Sequence, residues 1–388
     1  MRAGKRTHLD IFQITGCPHT TARFAATSTG ACHLHFRRLD IVSAADIQEL
    51  PVDSHRQTPA VTGRLAPTPS GGLHLGNART FLVAWLSARA AGGRVLLRVD
   101  DLDRPRVKPG FVEQAMEDLR WLGLEWDGKP ILQSHRGEAY VEALKKLRAA
   151  GCVYPCVCSR KEIEMAVRAP HEGEEGPVYP GVCRGKFRDG ADAEQRTGRA
   201  PCWRFAAECG RGLSAPTPAV LQNCRGAEAA PTFVEFDDAL HGPCGFDVRQ
   251  LGDFVVFRND GIASYQLATV VDDHAQGITE VVRGDDLLTS TARQILLCRA
   301  LGLTLPRFLH VPLVLDAAGQ RMAKRRDSTR LAALREAGVP AAQVVGMLAA
   351  SCGWAAEGER VMPVELIARF DLSKLPRQPV RLAAALQQ

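Results

Sequence analysis

The stretch Arg64-Leu-Ala-Pro-Thr-Pro-Ser-Gly-Gly-Leu-His-Leu-Gly-Asn77 constrains this chain more than any other. It follows Val61–Ala66, an apolar run that reads as a short buried strand, and precedes Asn77–Ala91, where Phe81, Leu82, Trp85 and Leu86 recur at helical spacing. Gly92-Gly93 stops the helix, and Val95–Val99 reads as a second strand running into Asp100, Asp101 and Asp103. A strand, a crossover helix and another strand close right-handedly, which makes the unit the start of a parallel sheet covered by helices. Small residues between strand and helix let backbone approach a ligand, and the helix N-terminus offers unpaired N–H groups to a phosphate. The loop is neither a Walker loop nor Gly-x-Gly-x-x-Gly. His74 at the helix entrance can donate to a phosphate oxygen, and Gly76 leaves a flat floor for a purine. Taken alone, the same string also fits an ordinary Pro/Gly loop carrying a surface histidine.

The remaining pattern extends this α/β reading. Pro109 opens a helix with Phe111, Val112, Ala115, Met116 and Leu119 inward and Gly123 at its end, and Glu138–Ala150 is a further helix closed by Gly151. From Cys152 to about Gly252 the chain is rich in Gly, Pro and Cys, as expected of an insertion with short strands such as Thr232–Phe236. Asp253–Phe257 and Ile262–Val271 read as strands around the turn Asn259-Asp260-Gly261. Ile278–Val282 reads as a strand, Thr291–Leu301 as a helix, Val311–Leu315 as a strand, and the pattern from Leu331 onward is helical. The expected division is therefore an extension over 1–58, a first half-sheet over 59–151, an insertion over 152–252, a second half-sheet over 253–330 and a helical region over 331–388. Residues 1–58 read as a poorly ordered extension, although Cys17, Cys32, His33 and His35 fall within it.

Composition narrows the class. The hydrophobic share is 45% and the charged share 24%, with no apolar run near the ~20 residues that span a bilayer, so a soluble, cytoplasmic chain is expected. A net charge of +6 suits a polyanionic partner. With 12 cysteines in a long chain lacking a secretory signal, reduced thiols are expected, a few held by metal. Cys156-Val-Cys158 followed by Cys183 offers three thiolates for one Zn²⁺, with a fourth ligand needed to close a tetrahedron and Cys202 or Cys209 as candidates. Arg321-Met-Ala-Lys-Arg325, after a turn at Asp316–Gly319, is a basic loop that could be merely a solvated surface.

His74-Leu-Gly-Asn77 early and Arg321-Met-Ala-Lys-Arg325 late, in that order on a strand–loop–helix frame, resemble the HIGH and KMSKS motifs of the class I glutamyl-tRNA synthetases and their shortened paralogues. The match covers the chain from about Val61 to its end. Asn77 replaces the last histidine of the first motif; Arg321 and Ala323 replace a lysine and a serine of the second. The resemblance implies a Rossmann-like parallel sheet with an inserted zinc-containing subdomain and a short helical C-terminal region. It implies that His74 and Lys324 are catalytic, and that His74, Gly76, Asn77 and Lys324 hold ATP, with the HIGH-like region running from Pro67 to Asn77 and the KMSKS-like loop comprising Arg321, Met322, Ala323, Lys324 and Arg325. It places L-glutamate against Arg64, framed by Leu65, Ala66, Pro67 and Thr68, and against Asp100, Tyr265 and Arg283; Asp100 stands where the family usually has glutamate. For Asp100 the rival reading is a solvated strand end, and for Arg283 an ion pair with Asp285 or Asp286.

The shortened paralogues also imply a structural Zn²⁺ held by Cys156, Cys158, Tyr179 and Cys183, with Mg²⁺ accompanying ATP. Too few residues follow Arg325 for a helical anticodon-reading region. The expectation is accordingly glutamate activation without tRNA, then transfer to the queuosine in the anticodon loop of tRNA(Asp), by a monomer. A truncated enzyme charging tRNA(Glu), or a non-catalytic zinc-containing RNA-binding paralogue, are the alternatives.

Overall fold

The computed structural model describes residues 61–103, 105–166, 178–210, 233–316, 319–320 and 330–382. The expected extension over 1–58 and the basic loop Arg321–Arg325 lie outside the described residues. In chain order the elements are β1 (Thr62–Leu65), α1 (Leu75–Ala90), β2 (Arg94–Val99), α2 (Phe111–Trp121), β3 (Ile131–Leu132), α3 (Gly137–Ala149), β4 (Val153–Cys156), α4 (Arg160–Ala166), α5 (Gly190–Thr197) and β5 (Cys202–Phe205). There follow β6 (Phe233–Asp238), β7 (Gly242–Asp247), β8 (Phe254–Phe257), α6 (Tyr265–Ala275), β9 (Glu280–Gly284), α7 (Leu288–Leu301), β10 (Arg307–Val311), β11 (Val314–Leu315), α8 (Leu331–Glu336), α9 (Ala341–Ala350) and β12 (Val380–Arg381).

The parallel ladder β1–β2–β3 pairs Leu65 with Leu97 and Val99 with Leu132. A second ladder runs β9–β10–β6 in parallel, with β7 antiparallel at its edge. The two meet where the Thr279 amide donates to the Thr62 carbonyl (3.0 Å), so β9 lies beside β1. The turn from α1 into β2 needs Gly93: a Cβ there would sit 2.1 Å from the Val61 carbonyl oxygen, to which the Arg94 amide donates at 2.8 Å. α1 is buried on more than the one face its periodicity suggests, because the sheet covers one side and the C-terminal region the other. Leu82 and Leu86 are fully enclosed, each contributing roughly 1.5–3 kcal/mol by burial. Arg79 is enclosed as well, and its guanidinium donates to the Pro312 carbonyl (3.0 Å) and the Ser351 hydroxyl (3.0 Å).

Two expectations change. Ile262–Val271 is not a strand. Ala263 only closes a bridge back to Phe257, and Tyr265–Ala275 is helical. The β-branched run Thr269-Val270-Val271 suggests a strand, but Ser264 caps the helix by accepting from the Leu267 amide, and Leu267, Ala268 and Val270 fall on a buried face. Thiols are not all reduced either: Cys152 and Cys209 form a disulfide, brought together where the Ala206 amide donates to the Cys152 carbonyl (2.9 Å).

The boundary expected at residue 252 is crossed in both directions. β6, from the insertion segment, pairs with β10 of the parallel sheet. β8, from beyond it, completes the antiparallel sheet β4–β5–β8 of the insertion. Among the described residues no helix is long and apolar enough to cross a membrane.

Candidate active site and metal cluster

The carboxyl ends of β1, β2 and β9, with the start of α6, bring together residues drawn from more than two hundred positions of sequence. Ligands bind in this position on open parallel sheets. Arg64 is buried on β1, and its Nη1 donates to the Val282 carbonyl of β9 (2.9 Å). Its Nε lies 3.5 Å from Asp273 Oδ1. Arg98 of β2 is completely buried between two carboxylates: its Nε donates to Asp100 Oδ1 (2.8 Å) and its Nη1 to Asp273. Arg64 Nε and Arg98 Nη2 are buried donors with no hydrogen-bond partner. The Asp100 amide donates to the Pro67 carbonyl (3.0 Å), which ties the loop after β1 to the end of β2.

Asp100 is therefore no solvated strand end. It is buried, its carboxylate accepts from Arg98, and burial outweighs Arg98 and Arg64 in pushing its pKa above the ordinary carboxylate value. Asp273 is also buried, but Arg98 and Arg64 outweigh that burial and hold it below the ordinary value. Arg98 in turn is held above its ordinary value, since Asp100 and Asp273 together overcome its desolvation. The pair Asp273–Arg98 was not among the residues expected from the sequence.

Arg283, on β9, reaches into a hydrogen-bonded group of Tyr265, Thr291 and His310. Its Nη1 donates to the Tyr265 hydroxyl (3.3 Å), its Nε to His310 Nε2 (3.3 Å) and its Nη2 to the Thr291 hydroxyl. Tyr265 is the exposed member of this group, at 38%. Of the framing residues, Leu65 and Pro67 are buried, Leu65 within the core, while Thr68 is exposed. Leu65 can thus face a ligand only with its backbone.

His74 is the N-cap of α1. Its Nδ1 accepts from the Asn77 amide (3.3 Å), and Asn77 Oδ1 accepts from the His74 amide (3.3 Å), a reciprocal capping box. With Nδ1 accepting, the neutral ring carries its proton on Nε2. A Cβ on Gly76 would meet His74 Cε1 and Nδ1 at 3.1 Å, so the glycine makes room for the imidazole itself. The loop is also tied to the far end of the chain: His74 bridges to Arg330, and the Leu331 amide donates to the Leu73 carbonyl (2.9 Å).

The second constellation is Cys156, Cys158 and Cys183, whose Sγ atoms all lie within 4.8 Å of one another. The Cys158 and Cys183 sulfurs are 3.4 Å apart; the Tyr179 oxygen is 3.3 Å from Cys156 Sγ and 3.5 Å from Cys158 Sγ. Thiolates on a tetrahedral zinc at ~2.3 Å stand ~3.8 Å apart, so this donor set fits the ion. Cys209 is engaged by Cys152, and the Cys202 thiol, which donates to the Cys156 carbonyl (3.2 Å) and touches the Cys156 side chain, is not one of the three sulfurs that lie mutually within 4.8 Å; the Tyr179 oxygen lies beside Cys156 and Cys158. Arg204 supports the cluster from β5: its Nε donates to Cys156 Sγ (3.2 Å) and its guanidinium stacks 3.9 Å from the Tyr179 ring centroid.

The catalytic-domain model of the class I tRNA synthetases for glutamate and glutamine matches residues 60–381. A glutamyl-Q tRNA(Asp) synthetase of Symbiobacterium thermophilum is 47% identical over 331 residues, covering 83% of this chain and 96% of its own. One of Nocardia farcinica is 46% identical over 327 residues, covering 83% and 94%. Among solved structures, a glutamate tRNA ligase of Elizabethkingia meningosepticum in complex with its amino acid is similar at a TM-score of 0.67 and 25% identity, over 84% of this chain and 68% of that one.

Proposed function

The chain belongs to the class I glutamyl- and glutaminyl-tRNA synthetase catalytic-domain family and is an ATP-using aminoacyl-tRNA ligase, and from that premise we propose that it activates L-glutamate and transfers it to the queuosine of tRNA(Asp). The observation that carries the glutamate assignment is the set of side chains at the strand ends. The buried guanidinium groups Arg64, Arg98 and Arg283 stand there with the buried carboxylates Asp100 and Asp273. Guanidinium donors beside a carboxylate acceptor suit an amino acid with two carboxylates and one ammonium. Arg64, Arg98 and Arg283 supply donors for the carboxylates, and Asp100 is the acceptor nearest the loop for the ammonium. The queuosine assignment draws on the relatives, which carry that specificity in their names over 94–96% of their own length.

In the proposed reaction the glutamate α-carboxylate attacks the α-phosphorus of ATP, and pyrophosphate leaves. His74 is placed at the N-terminus of α1 to donate to phosphate oxygens, and Lys324, from the loop outside the described residues, neutralises the leaving pyrophosphate; a Mg²⁺ bound with ATP would supply further positive charge. A cyclopentenediol hydroxyl of queuosine then attacks the adenylate carbonyl and AMP leaves. No side chain becomes covalently bound; orientation and charge stabilisation carry the rate. The proposed Zn²⁺ at Cys156, Cys158, Tyr179 and Cys183 has four protein ligands, which suits a structural ion.

Labelled-glutamate transfer to tRNA(Asp) with and without queuosine tests this. Transfer only to the modified tRNA is expected. Equal transfer to unmodified tRNA(Asp), or transfer to tRNA(Glu), would overturn the acceptor assignment, and absence of glutamate-dependent ATP–pyrophosphate exchange would overturn the activation step. A second expected result concerns Gly76→Ala. The new methyl displaces the His74 ring from its capping position, so exchange should fall roughly 10- to 100-fold. Alanine favours the helix by about 1 kcal/mol over glycine, which offsets the roughly 0.5–2 kcal/mol lost with the cap, so the melting temperature should change little. Unchanged exchange would remove His74's ring position from the mechanism.

A further inference from the structure

Behind Arg283 lies a buried pair that neither the motifs nor the family resemblance brought forward. His310, on β10, and Asp238, at the end of β6, have fully enclosed side chains, and Asp238 Oδ2 is 2.7 Å from His310 Nδ1. The same carboxylate is saturated on its other sides: Oδ1 accepts from the Leu240 and His241 amides (3.0 Å each) and Oδ2 from the His310 amide (3.0 Å). The rings of Phe236 and Phe308 flank the imidazole, each with its centroid 6.3 Å from that of His310. The charged and titratable groups facing the imidazole are Asp238, Arg283 and His241.

We propose that Asp238 and His310 are positioning residues that lock the imidazole tautomer so that it aims the Arg283 guanidinium at the substrate carboxylate. An ionised carboxylate can only accept, so Nδ1 carries the proton, and in a neutral ring Nε2 is then an acceptor. Burial, the largest influence on His310, pushes its pKa below the ordinary histidine value, which favours that neutral ring. Arg283 Nε donates to this acceptor (3.3 Å). Thr291 Oγ1 lies 2.8 Å from the same His310 Nε2, closer than it lies to the Leu287 carbonyl (3.2 Å), so its hydroxyl donates to the imidazole while accepting from Arg283 Nη2. His310 Nε2 thereby holds Arg283 both directly and through Thr291. Nε and Nη2 are held on the inner side, and Nη1 remains beside the hydroxyl of Tyr265, the exposed residue of the group. An arginine fixed along one edge keeps its fork oriented before the ligand arrives, which lowers the ordering cost of binding.

The proposal rests on the glutamate reading above and adds to it the reason Arg283 points where it does. Asp238→Asn is the direct test. The amide oxygen can keep the Leu240 and His241 amides, while its NH₂ faces His310 and requires Nδ1 to accept. The proton moves to Nε2, which then opposes a donor to Arg283 Nε. His310→Leu removes the acceptor, and His310→Gln retains one donor and one acceptor. Steady-state ATP–pyrophosphate exchange on the full chain, with melting curves alongside, reads all three. The expected result is a glutamate KM raised about 10- to 100-fold in Asp238→Asn and His310→Leu, the loss typical of a hydrogen bond to a charged group, with the ATP KM nearly unchanged and His310→Gln closer to the native value. A parallel rise in both KM values, or an unchanged glutamate KM in a folded Asp238→Asn protein, overturns the proposal while the glutamate reading stands. A native chain without glutamate-dependent exchange overturns both.

Discussion

Arg283→Lys is expected to lower kcat/KM for glutamate in ATP–pyrophosphate exchange by on the order of 10²–10⁴. Three nitrogens of Arg283 are already assigned, to Tyr265, His310 and Thr291, and together they fix a planar fork. Lysine keeps the charge but offers one rotating ammonium on a flexible stem. It cannot satisfy His310 Nε2 and Thr291 Oγ while also reaching a carboxylate, so about two charge-assisted bonds of roughly 1.5–3 kcal/mol each are lost at the glutamate. A lysine variant with native kcat/KM would show that Arg283 is structural, and the carboxylate would then have to be sought at Arg64 and Arg98 alone.

Cys158→Ser is expected to abolish stoichiometric zinc. The cluster supplies three sulfurs and one phenol oxygen with no further donor inside it among the described residues. Loss of one thiolate should weaken zinc at least about 10²-fold, and because binding energy at a structural site is folding energy, the sheet β4–β5–β8 should melt earlier. Cys202→Ser serves as the contrast: its thiol bonds the backbone carbonyl of Cys156 and is not one of the three sulfurs that lie mutually within 4.8 Å, so metal content should be native. Full zinc in Cys158→Ser, or loss of zinc in Cys202→Ser, would show that the ligand set is wrong. Tyr179→Phe completes the series, since unchanged zinc there would exclude the phenol as fourth ligand.

What could be read from the sequence depended on how local the cause was. The β1–α1–β2 unit was legible because Gly76, Gly92-Gly93 and the apolar spacing act within a few residues. So was the thiol cluster, where Cys156, Cys158 and Cys183 lie close in the chain. Arg64, Asp100, Tyr265 and Arg283 came from motif resemblance, and the structure does bring them to one end of the sheet. The residues behind them did not come: Arg98 meets Asp273 across 175 positions and His310 meets Asp238 across 72. Neither pair leaves a periodic or compositional trace, because the partner is chosen by sheet register. The helix at Tyr265–Ala275 was misread for a related reason. β-branched residues carry a weak strand preference that a capping serine and a buried face override.

The crossing of β6 and β8 has a consequence for anyone who would treat the thiol-bearing segment as a portable part. A graft cut at the sequence borders of the insertion would carry away β6, a strand of the sheet that holds Arg283 and His310, and leave behind β8, a strand the thiol-bearing sheet needs. Donor and recipient would each lose an edge, exposing unpaired backbone that invites association. Exchange between relatives should succeed when cuts also fall inside the β5–β6 and β7–β8 connections, so that β4, β5 and β8 travel together while β6 and β7 stay with β9 and β10. Inheritance of this region as a unit is thereby limited by hydrogen-bond pairing, and the two sheets are expected to have diverged together.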